Sequence, residues 1–164
     1  MSRLNHTETL LVRMPKTEDP NEHPARKAAR LSRTYFAQCK KQEWLALFAE
    51  DAVILDPLGK TYMAPTGAGY RTPAEREKWW DDHYQAEFYY AMNASFVAGN
   101  QVANYESLIM VGTVDGEKHS FKCEGIWTYE VNEEGKLTAM IGYWEEEALM
   151  EARTPLPDHQ FYVE

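Results

Sequence analysis

The stretch at residues 44–59, WLALFAEDAVILDPLG, decides the predicted fold. Its apolar beginning predicts a short helix over residues 43–49, and an acidic turn then leads into a strand over residues 51–56. The strand ends on Asp56, which stands directly before Pro57. A carboxylate at the end of an apolar strand is costly to bury, so Asp56 is either a turn residue that faces water or a group retained for chemistry.

Segments on both sides of this stretch predict the remaining elements. A long amphipathic helix is predicted over residues 24–41, because apolar residues recur there at helical spacing and form one face: Ala28, Leu31, Tyr35 and Cys39. Prolines and glycines predict a loop over residues 57–71, after which a capping box of Thr72 and Glu75 begins a helix that ends near His83. Runs of β-branched and aromatic residues then predict strands. These strands cover residues 88–96, 102–111, 119–131 and 137–144.

The order of these elements predicts one α+β domain over residues 23–150, with three helices ahead of an antiparallel meander. Asp115-Gly116 and residues 132–135 predict tight hairpin turns between its strands. An N-terminal arm over residues 1–22 and an extended C-terminal tail over residues 151–164 flank the domain.

The composition limits the kind of partner. The chain has 164 residues and a formal net charge of −9, which suits one compact domain and repels nucleic acid and anionic membranes. Its two cysteines, Cys39 and Cys123, form neither a disulfide framework nor a metal-ligand spacing. No signal peptide or membrane-spanning run is visible, so the sequence predicts a cytoplasmic protein.

Three segments resemble the ketosteroid isomerase-like and SnoaL-like branch of the nuclear transport factor 2-like superfamily. They are residues 47–52 (LFAEDA), residues 56–59 (DPLG) and the closing hairpin over residues 132–144. The resemblance implies a cone-shaped fold, in which a curved antiparallel sheet wraps around three N-terminal helices and leaves a deep apolar pocket. It also implies that no cofactor is needed.

The same resemblance names three candidate catalytic residues. The general base falls on Asp56, and the tyrosine of the oxyanion hole falls on Tyr35. The protonated aspartate of that family falls on Trp127, whose indole N–H can still donate a hydrogen bond. Tyr35 also has a structural interpretation as a core aromatic, and Trp127 as a side chain that fills the pocket.

Further residues are expected around the pocket. A second, supporting tyrosine of the family falls near Trp79, and its apolar pocket positions fall on Met140 and Trp144. Strand alternation places Trp127 and Tyr129 on one face, which the resemblance puts toward the pocket.

Polar residues outside these matches have simpler interpretations. Asn104 and Glu106 lie on an otherwise apolar strand face. They are candidate substrate-binding residues if they end in the pocket, where they would supply a second acid/base group, and otherwise they face water near an edge. We expect them to face water. Asp81, Asp82 and His83 have no recognisable metal-ligand motif and are expected to be exposed surface.

The sequence thus predicts a small isomerase or lyase that binds a hydrophobic carbonyl compound, such as a steroid or polyketide, with Asp56 as base. Two alternatives stay open: dehydratase or cyclase chemistry on the same fold, and a non-catalytic module that binds a small ligand or a protein. A homodimer through the convex sheet face is expected by analogy. The acidic run at residues 145–147 is then a solvated face or a dimer rim.

Overall fold

The computed structural model describes residues 19–62, 64–83, 87–151 and 154–155, so most of the predicted arm and tail lies outside the described residues. In chain order the elements are α1 (Pro24–Ala37), α2 (Lys41–Leu45), β1 (Phe48–Leu55), α3 (Pro73–His83), β2 (Glu87–Ala98), β3 (Gln101–Val114), β4 (Glu117–Val131), β5 (Leu137–Tyr143), α4 (Glu146–Glu151) and β6 (Thr154–Pro155). None of the helices in these ranges is long and apolar enough to cross a membrane.

The strands form one large, curved and unclosed sheet, as predicted, with the order β1-β5-β4-β3-β2 and with β6 paired to β4. Strands β2 to β5 are antiparallel neighbours. Strand β1 instead pairs in parallel with β5, so the sheet is mixed rather than purely antiparallel. A parallel pair needs a long crossover connection, and α3 with the meander supplies it. The predicted turn at Asp115-Gly116 is confirmed, because both residues have positive φ, 52° and 83°.

The first helix is shorter and rotated relative to the prediction. It ends at Ala37 because Cys39 takes a left-handed backbone conformation with φ of 62°. The buried face of α1 is also not the predicted one. It consists of small residues and one phenylalanine: Ala25, Ala28, Ala29, Ser32 and Phe36. Such small side chains let the helix approach the sheet closely, and Tyr35 is left half-buried beside this face.

Strand β1 begins earlier than predicted. Phe48 was expected in the short helix, but it pairs with Leu137 of β5, and the Leu47 carbonyl accepts the Leu137 N–H at 2.8 Å. The short helix α2 therefore ends at Leu45. Because the pairing starts at Phe48, β1 runs beside β5, and Asp56 lies on the inner side of the sheet next to Gly142.

A buried arginine holds α3 against β1. Arg76 Nη1 donates to the Ala52 carbonyl at 2.7 Å, and Nη2 donates to the carbonyls of Ala49 and Glu50 at 3.0 and 2.9 Å. Burial of the guanidinium lowers the pKa of Arg76. The backbone oxygens compensate for this burial by accepting its hydrogen bonds. The contact fixes the helix that carries Trp79 relative to the strand that ends at Asp56.

The start of α3 agrees with the predicted capping box. Thr72 Oγ1 accepts the N–H of Glu75 at 3.2 Å, and Glu75 Oε2 accepts the N–H of Thr72 at 2.8 Å. Two otherwise unpaired helical N–H groups are satisfied in this way.

Candidate functional site

A cavity of about 260 Å³ lies between the helices and the inner face of the sheet. Residues of α1, α3, α4, β2, β3 and β4 line it, together with the segments that follow β1 and β5. Most of its surface is apolar, and Trp79, Trp127 and Trp144 form much of the wall. Its volume is near the lower end of small-molecule sites, which is about 300 Å³.

The carboxylate of Asp56 lies in this wall and is held by two indoles. Oδ1 accepts hydrogen bonds from Nε1 of Trp127 at 2.9 Å and from Nε1 of Trp144 at 2.6 Å. No hydrogen bond within the described residues involves Oδ2. The two donors therefore orient the carboxylate through Oδ1 and leave Oδ2 without a hydrogen bond from a described residue.

This arrangement corrects the role predicted for Trp127. An indole has a single N–H donor, and that donor is directed to Asp56. Trp127 therefore does not reach a substrate oxygen in this structure. Its N–H positions the carboxylate, and its ring lines the cavity.

Two glycines make room for the Trp–Asp–Trp arrangement. A Cβ atom at Gly142 would collide with Asp56 Oδ1 and would lie 2.8 and 2.9 Å from the Nε1 atoms of Trp127 and Trp144. A Cβ atom at Gly125 would lie 2.6 Å from the Tyr143 carbonyl oxygen and 2.9 Å from Cβ of Trp144. Gly125 thus makes room for a tryptophan rather than for a ligand. The sequence contains no local signal for either requirement.

His83, expected at the surface, lines the same cavity as Asp56. Its ring stacks on Trp79 at 4.3 Å between centroids, and Nδ1 lies 2.7 Å from the Trp79 carbonyl. Because a carbonyl only accepts, Nδ1 carries the proton and Nε2 is the basic nitrogen. Burial lowers the pKa of His83, although the Trp79 carbonyl, Asp56 and Asp82 act in the opposite direction. The imidazole is therefore mostly neutral at neutral pH.

A buried ion pair lies beside the cavity. Nη2 of Arg33, a residue that lines the cavity, donates to Glu106 Oε2 at 2.7 Å, and Asn104 Nδ2 donates to Glu106 Oε1 at 3.1 Å. Glu106 is fully buried and Asn104 is 2% exposed, so the expectation that both face water is wrong. The guanidinium of Arg33 lies 4.9 Å from the ring centroid of Tyr90 and 5.2 Å from that of Trp127.

Electrostatics keep Arg33 charged and the neighbouring phenols neutral. Burial acts to lower the pKa of Arg33, but Glu106 and the surrounding hydroxyls raise it well above its ordinary value. Burial raises the pKa of Glu106, and Arg33 offsets part of that effect. Burial also raises the pKa values of Tyr90 and Tyr129, so both phenols stay protonated.

The other predicted site residues divide between the cavity and the core. Trp79 and Trp144 line the cavity as expected. Tyr35 does not line it, because the rotation of α1 points Phe36 there instead. Met140 and Tyr129 are fully buried in the hydrophobic core and are not part of the lining.

The mouth of the cavity is formed by a loop and by α4, a helix that the sequence did not predict. Tyr62 is 92% exposed, lines the cavity, and donates its backbone N–H to Glu146 Oε2 at 2.9 Å. Leu149 and Met150 of α4 line the cavity as well. Of the acidic run at residues 145–147, the outer two residues are solvated as expected, whereas Glu146 lies at the mouth.

Solved structures share this architecture. RV0760c from Mycobacterium tuberculosis superimposes with a TM-score of 0.71 and 26% identity, over 84% of this chain and 99% of that one. A Delta 5-3-ketosteroid isomerase from Mycobacterium sp. superimposes with a TM-score of 0.69 and 26% identity, over 82% of this chain and all of that one. The chain belongs to the nuclear transport factor 2-like superfamily.

Within the superfamily, a second structure of RV0760c, in complex with estradiol-17beta-hemisuccinate, is 28% identical to this chain. It has a TM-score of 0.69 and covers 81% of this chain and 99% of the other. Neither a protein-family model nor a curated protein matches the sequence. Among the described residues, no group of three or more His, Cys, Asp or Glu side chains could hold a metal ion.

Proposed function

We propose that the protein is a cofactor-independent isomerase that moves a proton within a hydrophobic carbonyl compound of the steroid or polyketide class. The observation that carries this proposal is the carboxylate of Asp56, which is oriented through Oδ1 in an aromatic cavity. Similarity to a ketosteroid isomerase and to a protein solved with a steroid ester supports it.

The proposed reaction uses Asp56 as a proton shuttle. Oδ2 removes a proton from the carbon next to the carbonyl, and the electron pair of that C–H bond moves into an enolate. The same carboxyl then returns the proton to a carbon further along the conjugated system. No proton is gained or lost overall. The apolar wall excludes water that would otherwise exchange with the transferred proton.

Asp56→Asn tests the proposal, because the amide has nearly the same shape but cannot take the proton. The assay uses β,γ-unsaturated cyclic ketones of one to four rings, whose conjugated products absorb in the ultraviolet. We expect at least about a hundredfold loss of turnover. Asp81→Asn is the matched control, since Asp81 is an exposed α3 residue paired with Lys41. Equal turnover in the wild type and Asp56→Asn, on a ketone that is isomerised, contradicts the proposal.

His83 favours dehydration as the second candidate function. An elimination needs a base for the carbon-bound proton and an acid for the departing hydroxyl group. Asp56 and His83 line one cavity and supply two proton-transfer groups. In that reaction His83→Gln lowers turnover as strongly as Asp56→Asn, whereas in the isomerisation only Asp56 is needed.

The non-catalytic alternative loses part of its support. A cavity filled by Trp79, Trp127 and Trp144 would have selected it, but these side chains line an open space of about 260 Å³, which leaves the form of this alternative that binds a small ligand. A cytoplasmic location stays a prediction from the sequence.

A homodimer is also part of the proposal. Three apolar residues form a row across the outer face of the sheet, where Tyr105 lies opposite Ile126 and Ile126 lies opposite Tyr143. Each is between 39% and 47% exposed. A contiguous apolar row on one sheet face is typical of a surface that a second copy covers.

A further inference from the structure

The cluster around Arg33 contains buried polar atoms without a hydrogen-bond partner. They are Arg33 Nε, Tyr90 Oη, Tyr129 Oη and Asn104 Oδ1. Most buried polar atoms in folded proteins are hydrogen-bonded, because an unpaired one loses its bonds to water without replacement. Several such atoms in one cluster leave hydrogen-bonding capacity that the described residues do not use.

Two of these side chains reach the cavity. Arg33 and Tyr90 both belong to its lining, and the guanidinium lies over the Tyr90 ring at 4.9 Å. Tyr90 packs beside Ala37 and Leu108, which also line the cavity. Its hydroxyl interacts with Glu106, and no other polar group of the described residues bonds to it. Both Glu106 oxygens already accept from other residues.

The charge of the cluster limits what it can bind. Arg33 and Glu106 form an ion pair at 2.7 Å, so their charges cancel. A ligand carboxylate would lose its hydration and meet no net positive charge. A neutral oxygen, by contrast, can accept hydrogen bonds from the Arg33 and Tyr90 donors.

We propose that Tyr90 and Arg33 form a subsite for a neutral hydroxyl or carbonyl oxygen of the hydrophobic ligand. This inference rests on the proposed function, since it places the ligand in the same cavity as Asp56. The ligand is therefore an oxygenated, uncharged hydrophobic compound. Its oxygen is bound by residues from α1 and β2, rather than by Tyr35 or Trp127.

Paired ligands test the subsite without knowledge of the substrate. The probes are 2-naphthol and 2-methylnaphthalene, which have similar shape and differ in the hydroxyl group. Their affinities are measured by calorimetry at neutral pH for the wild type and Tyr90→Phe. We expect Tyr90→Phe to shift the affinity ratio about tenfold in favour of 2-methylnaphthalene. An unchanged ratio, or no binding of either compound to the wild type, overturns the proposal.

Tyr35→Phe is the matched control, because it removes the same hydroxyl from a tyrosine outside the cavity lining. It should leave the ratio unchanged. Asp56→Asn separates the two possible positions of the hydroxyl, because a loss of the naphthol preference in that variant would place the hydroxyl on Asp56 instead. Tighter binding of 2-naphthoate than of 2-naphthol would overturn the restriction to neutral groups.

These outcomes separate the subsite from the proposed reaction. If Asp56→Asn abolishes ketone isomerisation while Tyr90→Phe leaves the naphthol ratio unchanged, the subsite is wrong and the isomerase proposal stands. If Tyr90→Phe shifts the ratio while Asp56→Asn retains isomerisation, the subsite stands and Asp56 is not the base.

Discussion

The indole of Trp127 donates its N–H to Asp56 at 2.9 Å, although 71 residues separate the two in the chain. Trp144 donates to the same carboxylate oxygen at 2.6 Å. Two tryptophans that lie far from Asp56 in the chain therefore orient the candidate base. This relationship gives the aromatic wall a function beyond shape, because its two indole N–H groups hold Oδ1 of Asp56 in place.

Replacing Trp127 by phenylalanine should disturb the orientation of Asp56 while keeping an aromatic ring. A hydrogen bond to a charged group contributes about 1.5–3 kcal/mol, and Asp56 is half-buried, so we expect a loss near 1.5 kcal/mol in unfolding free energy. The kcat of the reaction that depends on Asp56 should fall more than KM rises. Trp80→Phe is the control, since Trp80 is buried outside the cavity lining. Equal effects of both variants on kcat would contradict the positioning role.

Gly142→Ala should disrupt the same arrangement by adding one methyl group. The new Cβ would meet Asp56 Oδ1 and the two indole nitrogens. We expect weaker ligand binding and a loss of about 1–3 kcal/mol of stability, as for other overpacked sites. Gly112→Ala is the matched control, because its Cβ would only contact Phe121 at 3.4 Å. Chemical denaturation and tryptophan fluorescence measure both effects, and equal behaviour of the two variants would refute the steric explanation.

Breaking the Arg33–Glu106 pair should destabilise the protein strongly. Arg33→Met leaves a fully buried carboxylate without its counter-charge, which costs about 3–5 kcal/mol in comparable sites. Adding Glu106→Gln removes that uncompensated charge and should restore part of the loss. Urea unfolding of the two single variants and the double variant gives the coupling between them. Additive losses would show that the ion pair does not act as a unit.

Acidification should destabilise the protein through His83. Its folded-state pKa is below 6.5 because of burial, so the unfolded chain binds the proton more readily. Stability is therefore complete above about pH 6.5, falls as the pH decreases toward the folded-state value, and then levels off. Burial and the Trp79 carbonyl act most strongly on the pKa of His83, and the charged groups Asp56, Asp82 and Lys78 act on it less, so together they set the width of this window.

The comparison of wild type with His83→Gln checks this pH dependence. Urea unfolding at neutral pH and at about pH 5 should show a smaller acid-side loss in the variant, because glutamine does not titrate. The same loss in both proteins would assign the effect to other groups.

Charges on the outer sheet face should separate the expected dimer. Tyr105→Glu combined with Ile126→Glu places two carboxylates in the exposed apolar row, where pairing with a second copy would bury them. Sedimentation at micromolar concentration should report a dimer for the wild type and a monomer for the variant. Leu58→Glu, at an exposed apolar residue outside the strands, should leave the dimer intact. A monomeric wild type would contradict the predicted homodimer.

Local patterns in the sequence were sufficient for much of the fold. The capping box of Thr72 and Glu75 and the turn at Asp115-Gly116 depend on residues within a few positions of each other, and both are present as predicted. Strand alternation likewise predicted that Trp127 and Tyr129 share a buried face. Such features follow from backbone conformation and side-chain periodicity, which neighbouring residues determine.

Other features depended on contacts between distant segments. Helical spacing allowed Tyr35 to face the core, but close packing of the small residues of α1 on the sheet brought Phe36 there. The strand pattern alone predicts that Glu106 faces water. In the structure, Arg33, which is 73 residues away, pairs with it in the interior. Burial of a charge is acceptable only where a partner compensates it, and that partner is not visible from the strand itself.

The sequence by itself determined the order of α1 to α3 and β1 to β5, the superfamily resemblance and the place of Asp56 at the end of β1, because periodicity and short motifs encode these locally. Only the tertiary structure decided which groups surround that carboxylate. It placed His83 in the cavity and directed the Trp127 N–H to Asp56. It also left no space for a side chain at Gly142. The physical reason is that hydrogen-bond partners and free volume depend on how separate elements pack in three dimensions, which no single segment specifies.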